Sequence, residues 1–177
     1  MKKFLVILII ALVPSLTVAA SATVGGTLKI YWTLAAEKVD DMIFPAQFVG
    51  TTSAVLVNSL NAVPASGIPQ TAGNMGKPGQ VMFNGSGGSV ISISPVTSTV
   101  TLTNSPNASA TIPNVAISVH GANTFDATTT PITTATLSGT FGTYGAVNVF
   151  IRGLIPIQST PLTAGTYTGS IGINGAY

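Results

Sequence analysis

The sequence GTYTGSIGINGAY, residues 165–177, has the side-chain pattern on which the assignment of a fold class rests. Its side chains alternate, with Tyr167, Ile171 and Ile173 on one face and Thr168, Ser170 and Asn174 on the other. A two-residue period is typical of a half-buried β-strand. Because a strand in this position must pair with strands earlier in the chain, we expect an all-β domain that closes on this stretch.

The rest of the sequence favours the same fold class. It is dominated by β-branched and small residues, which suit pleated sheets with polar outer faces. Short alternating segments recur about every 8–12 residues with turn residues between them, which predicts one β-sandwich domain over residues 37–177. The segments before the closing stretch are 27–35, 53–60, 81–83, 89–94, 97–103, 112–120, 132–137 and 147–157. With no cysteine in the chain, stability must come from packing and strand pairing.

Residues 1–22 have the organisation of a cleaved secretory signal peptide. Lys2 and Lys3 precede an apolar run over residues 4–13, and a small-x-small pattern ends at Ala22. The apolar run is shorter than the roughly 20 residues that a membrane-spanning helix needs. We therefore expect cleavage after Ala22, or after Ala20, and export to the cell surface or the medium.

Removal of this segment leaves a chain with no net charge. The remaining chain has four cationic and four acidic side chains. The cationic ones are Lys29, Lys38, Lys77 and Arg152, and the acidic ones are Glu37, Asp40, Asp41 and Asp126. A nucleic-acid-binding protein needs a clustered basic face, and the same holds for binding to anionic lipid. We therefore expect neither nucleic acid nor a charged membrane surface as a partner.

Residues 27–35 alternate well between apolar and polar side chains. The pattern predicts a strand with a large apolar face, formed by Leu28, Ile30, Trp32 and Leu34, and Trp32 is the only tryptophan of the chain. Residues 37–41 follow as a short charged break.

Four stretches resemble a family of secreted bacterial domains of unknown function, which is itself similar to pilin and fimbrial adhesin subunits. They are residues 41–44 with 50–52, 83–85 with 88–93, 150–155, and the closing AGTYTG at 164–169, which is the most specific. The resemblance extends over nearly all of the expected mature chain. Pro45 and Arg152 stand where the family often has glycine, and Tyr177 is not the penultimate tyrosine of chaperone–usher subunits.

The resemblance implies an immunoglobulin-like, pilin-like β-sandwich that lacks one strand and accepts it from a neighbouring subunit. An exposed sheet edge can take such a strand, because backbone bonds give affinity and alternate pockets give register. The donor would be residues 23–36, with Leu28, Ile30, Trp32 and Leu34 in the neighbour's groove. Its partners would be copies of the same chain, assisted by a periplasmic chaperone or an outer-membrane assembly protein. Alternation alone does not distinguish this arrangement from pairing within one domain, so both stay open.

No residue pattern of comparable strength predicts catalysis, a cofactor or a metal. His120 is the only histidine, and alternation directs it toward solvent. Glu37, Asp40 and Asp41 could bind calcium or act as paired carboxylates, but their spacing favours a solvated linker. A triad of His120, Asp126 and a serine would lack the nucleophile elbow. We therefore expect no catalytic, cofactor or metal site and no small-molecule substrate.

These observations favour an exported structural subunit of a bacterial surface fibre. The alternative is a monomeric secreted adhesin or glycan-binding domain, in which Tyr31, Phe125, Tyr144 and Tyr177 would form a stacking face if the fold brought them together. A hydrolase is a third and weaker interpretation.

Overall fold

The structure, a computed structural model, describes residues 28–49, 56–57, 62–125 and 130–177, with the backbone alone at 56–57. The predicted signal peptide with its cleavage site at Ala22, residues 23–27 of the predicted N-terminal strand, and Asp126 lie outside these ranges. Most of the strand predicted at 53–60 also lies outside them.

Ten β-strands and no helix form the regular structure of the described residues. They are β1 (Ala35–Asp40), β2 (Leu56–Val57), β3 (Gly79–Ser86), β4 (Val90–Pro95), β5 (Thr99–Asn104), β6 (Thr111–Ala122), β7 (Thr134–Thr136), β8 (Tyr144–Ile155), β9 (Tyr167–Thr168) and β10 (Ile173–Ala176). It follows that this part of the chain contains no helix able to cross a membrane.

The strands form two sheets with antiparallel pairing throughout. The large sheet has the order β1-β3-β8-β6-β5-β9, and β2 also pairs with β8. The small sheet has the order β10-β4-β7. Because the two sheets bury a common core, the predicted all-β sandwich is confirmed.

β6 and β8, with 12 residues each, are the longest strands and lie at the centre of the large sheet. Every second residue of β8 is buried, from Gly145 to Ile155, as the two-residue period of a strand requires. In β6 the inward direction of Val115, Ile117 and Val119 agrees with the sequence prediction.

The first core lies between the two sheets. It contains residues of β3, β6 and β8 from the large sheet and of β4 and β7 from the small one: Phe83, Val119, Val147, Val149, Ile91, Ile93 and Ala135, with Leu137 just after β7. Leu34 and Ile173 pack against its margin. Burial of side chains of this size stabilises the fold by about 1.5–3 kcal/mol each.

The second core lies along the same central strands but lacks a comparable covering sheet. Its buried residues belong to β5, β6 and β8: Leu102, Ile112, Val115, Ile117, Ile151 and Ile155. The small sheet contributes Ile173 and β9 contributes Tyr167, while further cover comes from the strand-poor segments around Met42, Phe44, Leu162 and Ile171. The described sandwich is therefore two-layered in one half and incomplete in the other.

The N-terminal strand predicted at 27–35 is misplaced. Residues 28–34 belong to no strand, and β1 occupies Ala35–Asp40, most of which was predicted to be a charged break. β1 is an edge of the large sheet and pairs with β3, so its charged side chains remain in solvent. Edge strands tolerate and often carry such charges, which is why apolar alternation did not indicate this one.

The closing stretch is not one strand but two, in different sheets. β9 pairs with β5 in the large sheet, whereas β10 pairs with β4 in the small sheet. Between β9 and β10 the chain passes close to both sheets. A β carbon on Gly169 would lie 2.9 Å from Leu102 Cδ2, and one on Gly172 would lie 2.7 Å from Val96 Cγ2. The predicted alternation is confirmed, because Tyr167, Ile171 and Ile173 are half-buried and their polar neighbours are exposed.

Candidate functional site: an apolar cleft and an aromatic cluster

An open cleft of about 940 Å³ lies over the second core. Its floor is the inner face of the large sheet, where Leu102, Ile112, Ile151 and Ile155 line it. Two segments form its sides, residues 42–49 and residues 162–171. The cleft therefore occupies the position at which a second sheet would complete the sandwich.

The first side of the cleft is fixed by backbone hydrogen bonds. The amide of Ile43 donates to the carbonyl of Lys77 at 2.8 Å, and the Lys77 amide donates back to Ile43 at 2.8 Å. Met42 and Phe44 then point toward β8, where a β carbon on Gly153 would lie only 2.8 Å from Met42 Sδ. Gly153 thus leaves the room that these two side chains need.

The second side is fixed by a buried amide. Asn104, only 1% exposed, donates from Nδ2 to the carbonyl of Ala164 at 3.1 Å. Tyr167 lies next to it, with its hydroxyl 3.0 Å from the hydroxyl of Thr163. The hydrogen bond with Thr163 is the main reason that the pKa of Tyr167 lies below the usual tyrosine value, while desolvation acts in the opposite direction.

An edge of the small sheet lies beside the cleft. β10 is the last strand of that sheet, with β4 as its neighbour, and Ile171 lines the cleft just before β10 begins. An edge strand presents backbone N–H and C=O groups on its outer side. Ile173 of β10 packs against the second core, so this strand edge lies next to the cleft without lining it.

The four predicted donor residues do not behave as one unit. Leu28 and Ile30 are 84% and 76% exposed, whereas Leu34 packs against the first core. Trp32 is half-exposed, but its amide donates to Ser86 Oγ at 2.7 Å. Residues 28–34, called the N-terminal segment below, are therefore anchored at their C-terminal end and exposed at their N-terminal end.

Five half-exposed rings form an aromatic cluster where the N-terminal segment meets the end of the chain: Tyr31, Trp32, Phe141, Tyr144 and Tyr177. The centroid of Tyr31 is 5.2 Å from that of Phe141 and 5.0 Å from that of Tyr177. Trp32 meets Tyr144 edge to face at 6.4 Å. Such contacts stabilise by about 0.5–1.5 kcal/mol each beyond the area that they bury.

The structure brings together three of the four predicted stacking residues. Tyr31, Tyr144 and Tyr177 belong to the aromatic cluster, whereas Phe125 packs against Phe150 at 6.1 Å outside it. Sequence reasoning missed Phe141 as a member, because it lies in a loop whose neighbours depend on the tertiary fold.

The candidate metal and catalytic residues do not converge. Asp40 pairs with Lys77 at 2.6 Å and Asp41 pairs with Lys38 at 3.0 Å, and no group of three or more potential ligands occurs among the described residues. His120 was predicted to face solvent, but it is 2% exposed. The prediction was wrong because the register between β6 and β8 shifts between Val119 and Ala122, and the strict alternation of inward and outward side chains does not continue through such an irregularity.

Comparison of the chain with family models, curated proteins and solved structures finds no match. The fold and the site define an all-β sandwich with an open apolar cleft at one half and an exposed aromatic cluster near its N-terminal segment.

Proposed function

We propose that this protein is an exported structural subunit of a bacterial surface fibre and that its N-terminal segment completes the sandwich of a neighbouring copy. The observation that carries the proposal is the apolar cleft over the second core, which lacks a covering strand among the described residues. The signal-peptide pattern and the resemblance to pilin-like domains support export and assembly.

The N-terminal segment has the chemistry of the missing strand. Leu28 and Ile30 are two positions apart, so in an extended chain they enter the same apolar surface about 6.6 Å from one another. Both are highly exposed in the subunit, although burial of such side chains stabilises by about 1.5–3 kcal/mol each. The donor set is then centred on Leu28 and Ile30, while Trp32 and Leu34 contact their own domain.

The edge of β10 supplies the backbone partners for an added strand. Strand addition to a sheet edge uses main-chain hydrogen bonds for affinity and alternate side-chain pockets for specificity. The zero net charge of the expected mature chain removes long-range repulsion between identical subunits. A chaperone or an outer-membrane assembly protein would keep the cleft occupied until a neighbouring subunit arrives.

Deletion of residues 23–30 from the mature protein tests this proposal. The deletion leaves Trp32 and Leu34 in place, so the domain is expected to stay folded, as circular dichroism would show. Negative-stain electron microscopy should reveal filaments of the mature protein and dispersed particles of the deletion variant. Filaments of equal length in both samples would overturn the donor role.

A second function, binding of a neutral glycan, is favoured by the aromatic cluster. Exposed tyrosine and tryptophan rings offer an apolar face for a sugar ring and polar groups at their rims for its hydroxyls. Glycan-array screening followed by Tyr144→Ala tests it, because Tyr144 is 62% exposed and its loss opens the cluster. Phe48→Ala is the matched control, since Phe48 is 55% exposed and lies outside the cluster. Equal binding by both variants would exclude the cluster as the glycan site.

A further inference from the structure

A closed ring of hydrogen bonds joins three distant parts of the chain. The Trp32 amide donates to Ser86 Oγ at 2.7 Å, and the Ser86 amide donates to the Tyr177 hydroxyl at 2.7 Å. The Tyr177 hydroxyl in turn donates to the Trp32 carbonyl at 2.8 Å. One hydroxyl therefore serves as acceptor for β3 and as donor to the N-terminal segment.

The site is shaped to receive the tyrosine. Ser86 is fully buried at the end of β3, and a β carbon on the neighbouring Gly85 would overlap the Tyr177 hydroxyl. Any side chain at Gly85 would therefore push Tyr177 away from Ser86 and Trp32. The hydrogen-bonded ring thus needs Trp32, Tyr177 and the pair Gly85–Ser86, which lie far apart in the sequence.

We propose that Tyr177 is a latch that retains Trp32 of the N-terminal segment on its own domain, so that the latch must open before the donated part can extend from Leu28 and Ile30 to Trp32. This proposal rests on the proposed fibre function. The Tyr177 hydroxyl holds the segment through its hydrogen bond to the carbonyl of Trp32, which lies two residues after Ile30. The ring of Tyr31 also contacts the ring of Tyr177. Opening it releases Trp32 and extends the free donor from Leu28 to Trp32.

The latch gives the subunit two alternative states. In the closed state the segment satisfies the Ser86 hydroxyl and the Tyr177 hydroxyl within one chain. In the open state these groups meet water, and Trp32 also becomes available to the cleft of another copy. Because each hydrogen bond contributes only about 0.5–1.5 kcal/mol net, the open state remains accessible without unfolding of the domain.

Tyr177→Phe tests the latch, because it keeps the ring and removes both hydrogen bonds of the hydroxyl. Hydrogen exchange of the Trp32 amide, followed by NMR, should become roughly tenfold faster. Fluorescence of Trp32, the only tryptophan, should be quenched more readily by acrylamide. Tyr167→Phe is the control, since its hydroxyl also bonds to two oxygens but lies beside the cleft. Unchanged exchange and quenching in Tyr177→Phe would overturn the latch.

A second variant and a separate assembly assay distinguish failure of the latch from failure of the fibre function. Ser86→Ala removes the acceptor of the Trp32 amide and should accelerate its exchange in the same direction. If Tyr177→Phe lowers the melting temperature strongly, Ser86→Ala replaces it in the exchange experiment. Faster filament growth by Tyr177→Phe supports both proposals. Faster exchange without filaments in any sample retains the latch and overturns the fibre function.

Discussion

Gly165 lies against Asn104 so closely that a β carbon on Gly165 would overlap the Asn104 side-chain amide. Asn104 uses that amide to hold the turn, donating to the Ala164 carbonyl and accepting from the Asn107 amide at 3.2 Å. Gly165 has a φ of +144°, which L side chains rarely adopt. The first glycine of the AGTYTG motif, Gly165, is therefore required both by its backbone conformation and by the buried Asn104 beside it.

Gly165→Ala is expected to destabilise the protein by about 1–3 kcal/mol, because it adds a β carbon where neither the backbone nor Asn104 accommodates one. Urea unfolding would measure the change. Gly73→Ala is the control, since its β carbon would meet no atom within 4 Å. It should change the free energy of unfolding by less than about 0.5 kcal/mol. Equal effects of the two substitutions would contradict the role given to Asn104.

The central strands of the fold could be predicted because their sequences alternate between apolar residues, which face the core, and residues of mixed character, which do not. β8 alternates throughout between buried aliphatic or glycine residues and more exposed ones, β6 does so from Val115 to Val119, and both strands occur close to the predicted bounds. The pairing of the closing stretch with two sheets could not be predicted. Alternation records which side chains face inward, but it does not record which sheet supplies the partner strand.

The candidate site was only partly predictable for the same reason. The apolar alternation of Leu28 and Ile30 is visible in the sequence, whereas the cleft is formed by segments far apart in the chain. The Tyr177 latch joins residues separated by 54, 91 and 145 positions, and no local pattern indicates such contacts. The strand predicted at 81–83 ends before Gly85, whereas Gly85 lies within β3 and makes room for the tyrosine.

Adjacent residues of β4 provide a test of its register. Ile91 is completely buried in the first core and Val90 is 58% exposed. Ile91→Ala should lower the free energy of unfolding by about 2–5 kcal/mol, because it leaves a cavity between the sheets. Val90→Ala should lower it by less than about 1 kcal/mol. Thermal and urea unfolding would measure both, and a larger effect at Val90 would mean that β4 is paired one residue out of register.

Calcium is expected to leave the stability unchanged. The carboxylates of Asp40 and Asp41 each bind a lysine, which opposes recruitment of a cation to this region. Addition of 1 mM calcium should shift the melting temperature by less than about 1 °C, since a ligand stabilises a protein only when it binds the folded state. Asp40→Asn serves as the control. A clear calcium-dependent rise that Asp40→Asn abolishes would reveal a binding site there.

Ile30→Asp is expected to block donation without weakening the subunit. Ile30 is 76% exposed, so the substitution should change the free energy of unfolding by less than about 0.5 kcal/mol. In the cleft of a neighbour, however, the carboxylate would lie on an apolar floor without a partner, which costs several kcal/mol. The variant alone should therefore form no filaments in negative-stain images. Ile157→Asp is the control, because Ile157 is 61% exposed and is neither in the N-terminal segment nor in the cleft lining.

Mixing this variant with the unsubstituted protein separates donation from acceptance. The Ile30→Asp subunit keeps its own cleft, so it can accept a strand at one end of a filament but cannot offer one for the next addition. Filaments should therefore shorten progressively as the variant fraction rises, whereas Ile157→Asp should leave their length unchanged. If Ile30→Asp were merely excluded from assembly, filaments would become fewer but keep their length distribution. That result would show that a subunit with an intact cleft does not accept the N-terminal segment of another copy. The subunit contact would then lie elsewhere on the sandwich.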